Sequence, residues 1–196
     1  MIDMNKILGV IMLRAPIYRA IADDQAGTTN AAIVFVIATL IRGFFDGIVT
    51  TSSGVNSITI GGAFVGAITG LIIGAIGWVF TAWVLAFVAK QLDGKTSTSE
   101  MLRVTGYVAV FGVVSVLNIF RIIPVLGCLT GLVSFAVAIL SLVGYVIGVR
   151  EAAEFTTGKA IICALVAAIV NFVIVVLIGG AILTALLVVF GLAFAH

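Results

Sequence analysis

Few side chains in this sequence could do chemistry, and the pair that stands out is Arg42 and Asp46, two opposite charges inside an otherwise apolar run. Four residues apart, they share one face of a helix and can pair. Ionised groups at membrane depth are costly, so such a pair is a default candidate for an ion path, a lipid-headgroup site or a partner contact. It lies toward the end of its run, where an interfacial salt bridge or a snorkelling arginine is the ordinary expectation. Asn171, alone in a later apolar run, is the third intramembrane polar candidate, and Asn118 and Arg121 flank another. Interhelical hydrogen bonds and an interfacial cap account for these first. Glu151 and Glu154 could touch a metal ion or pair with Arg150 and Lys159, and a solvated helix end is expected. Gly94-Lys95-Thr96 superficially resembles a phosphate-binding loop, but the upstream glycine such a loop needs is Ala89. Asp93-Gly94 reads as a turn, and Thr98 or Ser99 as the next helix's N-cap.

The remaining nucleophiles and ligands are sparse. Cys128 and Cys163 lie in apolar runs, too few for a disulfide framework or a cysteine metal site, and are expected to be packing residues too far apart to bond. The single histidine is His196. No two- or three-residue catalytic set can be assembled at one membrane depth, so no enzyme, cofactor or metal site is expected.

The elements that must position these residues follow from composition. Hydrophobic residues make up 63% of the chain and charged residues 9%, with a mean hydropathy of +1.38. A water-soluble domain could not cover its surface with so few charges, and lipid must do so. A net charge of +2 with scattered basic residues excludes nucleic acid as a partner. A helix needs roughly 20 apolar residues to cross a hydrocarbon core. Spans are predicted over about 30–50, 60–89, 102–120, 125–149 and 160–185, an all-α polytopic transmembrane bundle of five helices. If Gly179-Gly180 turned the last run back, a sixth crossing would follow, on a short second leg.

Residues 1–28 are expected to form an N-terminal segment with a short amphipathic interfacial helix through Ile7, Leu8, Ile11 and Arg14, then a second piece opened by Pro16. The apolar stretch there is short and lacks a small-residue cleavage site, so the segment is expected to be retained. Lys6, Arg14, Arg19, Lys90, Lys95, Arg103, Arg150 and Lys159 fall on one side of the predicted topology, and Arg42 and Arg121 on the other. The positive-inside rule then predicts a cytoplasmic N-terminus and a C-terminus on the opposite side.

Glycine supplies the strongest local pattern. Gly62, Gly66, Gly70 and Gly74 recur every four residues and strip side chains from one helix face; Gly127 with Gly131, and Gly144 with Gly148, repeat the device. In lipid, small residues let helices approach closely enough for van der Waals attraction to hold them. Packing within the chain is expected first, and contact with a second copy or another subunit is the alternative.

Several inner-loop segments together resemble the Yip1 domain family: Asp93-Gly94-Lys95-Thr96-Ser97, Glu100-Met101-Leu102-Arg103-Val104-Thr105-Gly106-Tyr107, Ile123-Pro124-Val125-Leu126-Gly127, Gly148-Val149-Arg150-Glu151 and Thr157-Gly158-Lys159-Ala160. The likeness runs from about Pro16 to the end. The family usually has a proline after the glycine-tyrosine, where this chain reads Val108-Ala109-Val110-Phe111. The resemblance implies residues 29–196 as a domain of five transmembrane helices with a cytoplasmic N-terminus, and no chemistry. Eukaryotic relatives resemble vesicle-traffic adaptors that engage prenylated small GTPases through a long hydrophilic N-terminal region. This chain's region is short and is similar to compact prokaryotic members, which implies a bacterial inner membrane. The leading expectation is a scaffold, adaptor or accessory subunit whose partners are the lipid bilayer and other membrane subunits or itself. The rival is a small-solute or ion transporter with Arg42, Asp46 and Asn171 lining the path.

Overall fold

Residues 3–52 and 55–173 are described by a computed structural model. Asp3 starts helix α1 (Met4–Ile11), its side chain accepting from the Asn5 amide at 2.9 Å. Pro16 in the first turn, where a missing N–H costs nothing, opens α2 (Ala15–Asp23). Helix α3 is Thr28–Ile48, α4 is Ile60–Gln91 and α5 is Thr98–Val108. The α5 cap is Ser97, one residue before the expected position, in a capping box with Glu100. A 3₁₀ helix, Ala109–Ile122, continues α5 directly. Pro124 then opens α6 (Pro124–Ala153), and α7 is Thr157–Val173.

The chain is an integral, multi-pass membrane protein. Four helical stretches among the described residues are long and apolar enough to cross a membrane: Gln25–Ile48, Ile60–Gln91, Thr98–Ile122 and Val125–Ala153. Helix α7 is the fifth apolar helix, and the Gly179-Gly180 turn considered above lies outside the described residues. Exposed Phe64, Ile68, Ile72 and Ile76 on α4, and Leu129, Leu132 and Phe135 on α6, give these helices apolar outer faces suited to lipid.

Two features depart from the sequence expectation. Val49–Ser52 (β1) pairs antiparallel with Val55–Ile58 (β2), Thr50 facing Ser57 and Thr51 facing Asn56, where the first span was expected to run on to about residue 50 and no strand was expected. Threonine hydroxyls tie this hairpin to itself, and Asn56 Nδ2 donates to the Arg121 carbonyl at 2.7 Å. The third stretch also changes pitch at Ala109, with no proline there. A 3₁₀ helix rises about 2.0 Å per residue against about 1.5 Å in an α-helix. Its 14 residues, added to the 11 of α5, reach about 44 Å, close to the roughly 48 Å of α4. A purely α-helical stretch of the same residues would be about 7 Å shorter, and so about 10 Å short of α4.

The end of the bundle opposite the hairpin gathers the basic residues and is tied by them. Arg19 Nη2 donates to Glu154 at 2.6 Å and Nη1 to the Glu151 carbonyl at 2.9 Å. Arg150 pairs with Glu151, and Lys159 Nζ donates to the Leu92 carbonyl at 2.9 Å. Glu151 and Glu154 are therefore ion-pair and cap residues. Arg103, counted above among the cations of one side, is 4% exposed. Its guanidinium donates from both Nε and Nη2 to the Ala22 carbonyl, and from Nη1 to Thr28 Oγ1 at 3.3 Å. Because Ala22 sits at the C-terminal end of α2, the cation also meets the negative end of a helix dipole.

Removing Arg103 leaves the Ala22 carbonyl buried and unpaired. Arg103→Leu is expected to lower stability by about 1–3 kcal/mol, read as a lower thermal midpoint in detergent and faster tryptic cleavage at Arg14 and Arg19. The Lys6–Asp24 ion pair at 2.6 Å gives a pH dependence. The Lys6 hydrogen bond is the main cause holding the Asp24 carboxyl below its ordinary value of 3.8. A depressed carboxylate stabilises fully above its unfolded pKa and stops doing so as pH falls through the lowered one. Peptic cleavage of α1 should therefore rise as pH drops below about 4, with the pH dependence reduced in Asp24→Asn.

Candidate functional site: a polar groove beside glycine-packed helices

Helix α3 meets α4 backbone to backbone. A Cβ added at Gly66 would overlap the Gly43 carbonyl oxygen, and one at Gly47 would overlap that of Gly62. One at Gly70 would come within 3.3 Å of the Gly43 Cα, and one at Gly74 within 3.0 Å of Thr39 Cγ2. The four-residue glycine repeat of α4 thus faces Gly43 and Gly47 of the same chain. Phe35 stacks on Trp78 with ring centroids 4.4 Å apart and closes the line of contact. Trp78 Nε1 in turn donates to Thr105 Oγ1 at 2.9 Å, which ties in α5.

Beside this seam, Arg42 Nε donates to Asp46 Oδ2 at 3.4 Å, and Asn118 Nδ2 donates to Asp46 Oδ1 at 2.7 Å. The carboxylate thereby joins α3 to the 3₁₀ helix. With three residues per turn, a 3₁₀ helix stacks positions i and i+3 in one row, and Gly112, Ser115, Asn118 and Arg121 form such a row. In an α-helix the same residues would drift about 60° per step. Gly112 makes room for Arg42, whose Cδ would lie 3.3 Å from a Cβ added there. Ser115 is 5% exposed and its Oγ has no hydrogen-bond partner among the described residues. Two adjoining hollows of about 680 and 340 Å³ share Arg42, Asp46, Gly112 and Ser141 in their linings. Ser115, Asn118 and Ser134 line the smaller; Gly43, Gly70, Gly74, Phe35 and Trp78 line the larger.

The other candidates are not among the lining residues of this groove, although Asn171 bonds to Thr81 in the wall of the larger hollow. Asn171 donates to the Ala167 carbonyl at 2.8 Å and accepts from Thr81 Oγ1 at 3.0 Å, bonding α7 to α4. Gly144 and Gly148 receive Tyr18, so the N-terminal segment packs into α6 there. Gly127 has only Arg121 backbone nearby, and Gly131 faces open space among the described residues. Cys163 is buried and Cys128 is exposed, both free thiols; Cys128 thus lies on the outer surface of α6 and is not the packing residue expected. Sequence reasoning missed Gly112 and Ser115. The three-residue repeat through Asn118 to Arg121 was the available signal, and it has meaning only in a 3₁₀ helix.

A family model for the Yip1 domain matches residues 10–178. No curated protein and no solved structure matches the chain.

The glycine contacts sort substitutions sharply. Gly66→Ala pushes a methyl group into backbone and is expected to cost about 1–3 kcal/mol, whereas Gly131→Ala should stay within about 0.5 kcal/mol of wild type. Thermal unfolding of the two purified variants in one detergent checks the contrast.

Proposed function

This chain belongs to the Yip1 domain family, and we propose that it is a non-catalytic scaffold, adaptor or accessory subunit that packs against other membrane proteins or organises the membrane around it. The supporting observation is the hairpin-end half of α6. Val125, Leu129, Leu132 and Phe135 are exposed there, Cys128 is exposed beside them, and Gly131 is open among the described residues. An open glycine on an apolar helix lets a neighbouring helix approach. The α4 glycine face is occupied by α3, so α6 takes over the docking role that the sequence left to either helix. The segregated basic residues favour an N-terminus and basic end on the cytoplasmic side, with the hairpin opposite.

A transporter or channel is the second reading, favoured by the groove that Arg42 and Asp46 line. It ranks below the first because those two charges pair with each other and the Asn171 amide is taken up by Ala167 and Thr81.

Cys128 provides the test. A maleimide cross-linker applied to native membranes, followed by mild-detergent extraction on an N-terminal tag, should capture one stoichiometric neighbour, another protein or a second copy. Cys128→Ser should capture none. Extraction as a lone monomer with no Cys128 adduct would defeat the reading.

A further inference from the structure

The geometry points to a phospholipid site in the double hollow, with the phosphodiester on Arg42 and one acyl chain lying along the glycine-floored part. The donors carry the inference. Both oxygens of Asp46 accept a hydrogen bond, from Arg42 Nε and Asn118 Nδ2, so the carboxylate orients two donors beside the hollow. The Nη groups of Arg42 have no acceptor among the described residues. A guanidinium fork is well shaped to hold a phosphate through two hydrogen bonds. The second observation is independent: Ser115, 5% exposed, is a lining residue of the smaller hollow, and its buried hydroxyl has no partner among the described residues. Ser134 and Ser141 line the same hollow.

Depth and shape agree with an amphipathic ligand. Arg42 lies six residues before the end of α3 at Ile48, about 9 Å along the axis. Centred on a hydrocarbon core about 30 Å thick, the 32-residue α4 projects about 9 Å at each end. Arg42 therefore lies at the hydrocarbon–headgroup boundary, the level of lipid phosphates. From it the larger hollow runs beside Gly70 and Gly74 to Phe35 and Trp78, and Gly77, where a Cβ would meet nothing among the described residues, leaves room there for methylene groups.

The test uses the full-length chain, delipidated in a neutral detergent and titrated with dioleoylphosphatidylethanolamine under native mass spectrometry. Wild type should retain one phospholipid per chain and no dioleoylglycerol, which has the same acyl chains without the phosphate. Losing a charge-assisted bond should weaken retention about tenfold or more in Arg42→Gln. Ser115→Ala, which removes only a hydroxyl, should weaken it several-fold, and Lys90→Gln at the opposite end should not. Inorganic phosphate should fail to displace the lipid. Equal retention of dioleoylglycerol, or wild-type retention by both Arg42→Gln and Ser115→Ala, would overturn the assignment. Displacement by inorganic phosphate at the lipid's own concentration would also overturn it, showing a free-phosphate site.

Discussion

The contact on which the rest depends is that of the α3 and α4 backbones at Gly43, Gly47, Gly62 and Gly66. Hydrophobic burial does not drive apolar helices together in lipid, because the solvent is as apolar as the side chains. Close approach does, through many small dispersion contacts that fade within about 1 Å of added separation. A single methyl group at these positions would hold the helices apart. The seam fixes α3 against α4, and so fixes where Arg42 and Asp46 project.

The second dependence is on helix pitch. Asp46 is placed by α3, but its partner Asn118 belongs to a 3₁₀ helix whose three-residue turn aligns Gly112, Ser115 and Asn118. The same pitch stretches a short sequence over the length of its neighbours. One local change therefore serves both length matching and the polar row. At the other end, Arg103 shows how a cation can be buried here without a carboxylate hydrogen-bonded to it: an end-of-helix carbonyl and a threonine hydroxyl accept its hydrogen bonds.

What the sequence made legible follows from which constraints are local. Charge-free runs show where helices lie because crossing lipid demands them, and the run beginning at Ile60 coincides with the start of α4. The Arg42–Asp46 pair is legible because four-residue spacing guarantees proximity on a helix, and the pair forms. The glycine repeat advertises close packing but not its partner: Gly43 and Gly47 are distant in sequence, and nothing in either stretch names the other. The pitch change was illegible because no proline or glycine pair marks Ala109. The hairpin was missed because Val49 and Thr50 continue the first apolar run and the short polar stretch after them carries no alternating apolar pattern. The burial of Arg103 was illegible for a related reason. Charge counting assigns a side of the membrane, and burial depends on an α2 carbonyl far away in sequence.

The most direct measurement is magic-angle-spinning NMR on the chain in bilayers with selectively ¹³C-labelled glycine, recording correlations between α3 and α4 glycines. Cross-peaks linking Gly43 with Gly66 and Gly47 with Gly62 are predicted. On dilution of labelled chains with an excess of unlabelled chains, their intensity per labelled chain should be unchanged, as contacts within one chain require. Missing cross-peaks, or cross-peaks that fade on dilution because they join different chains, would contradict the account.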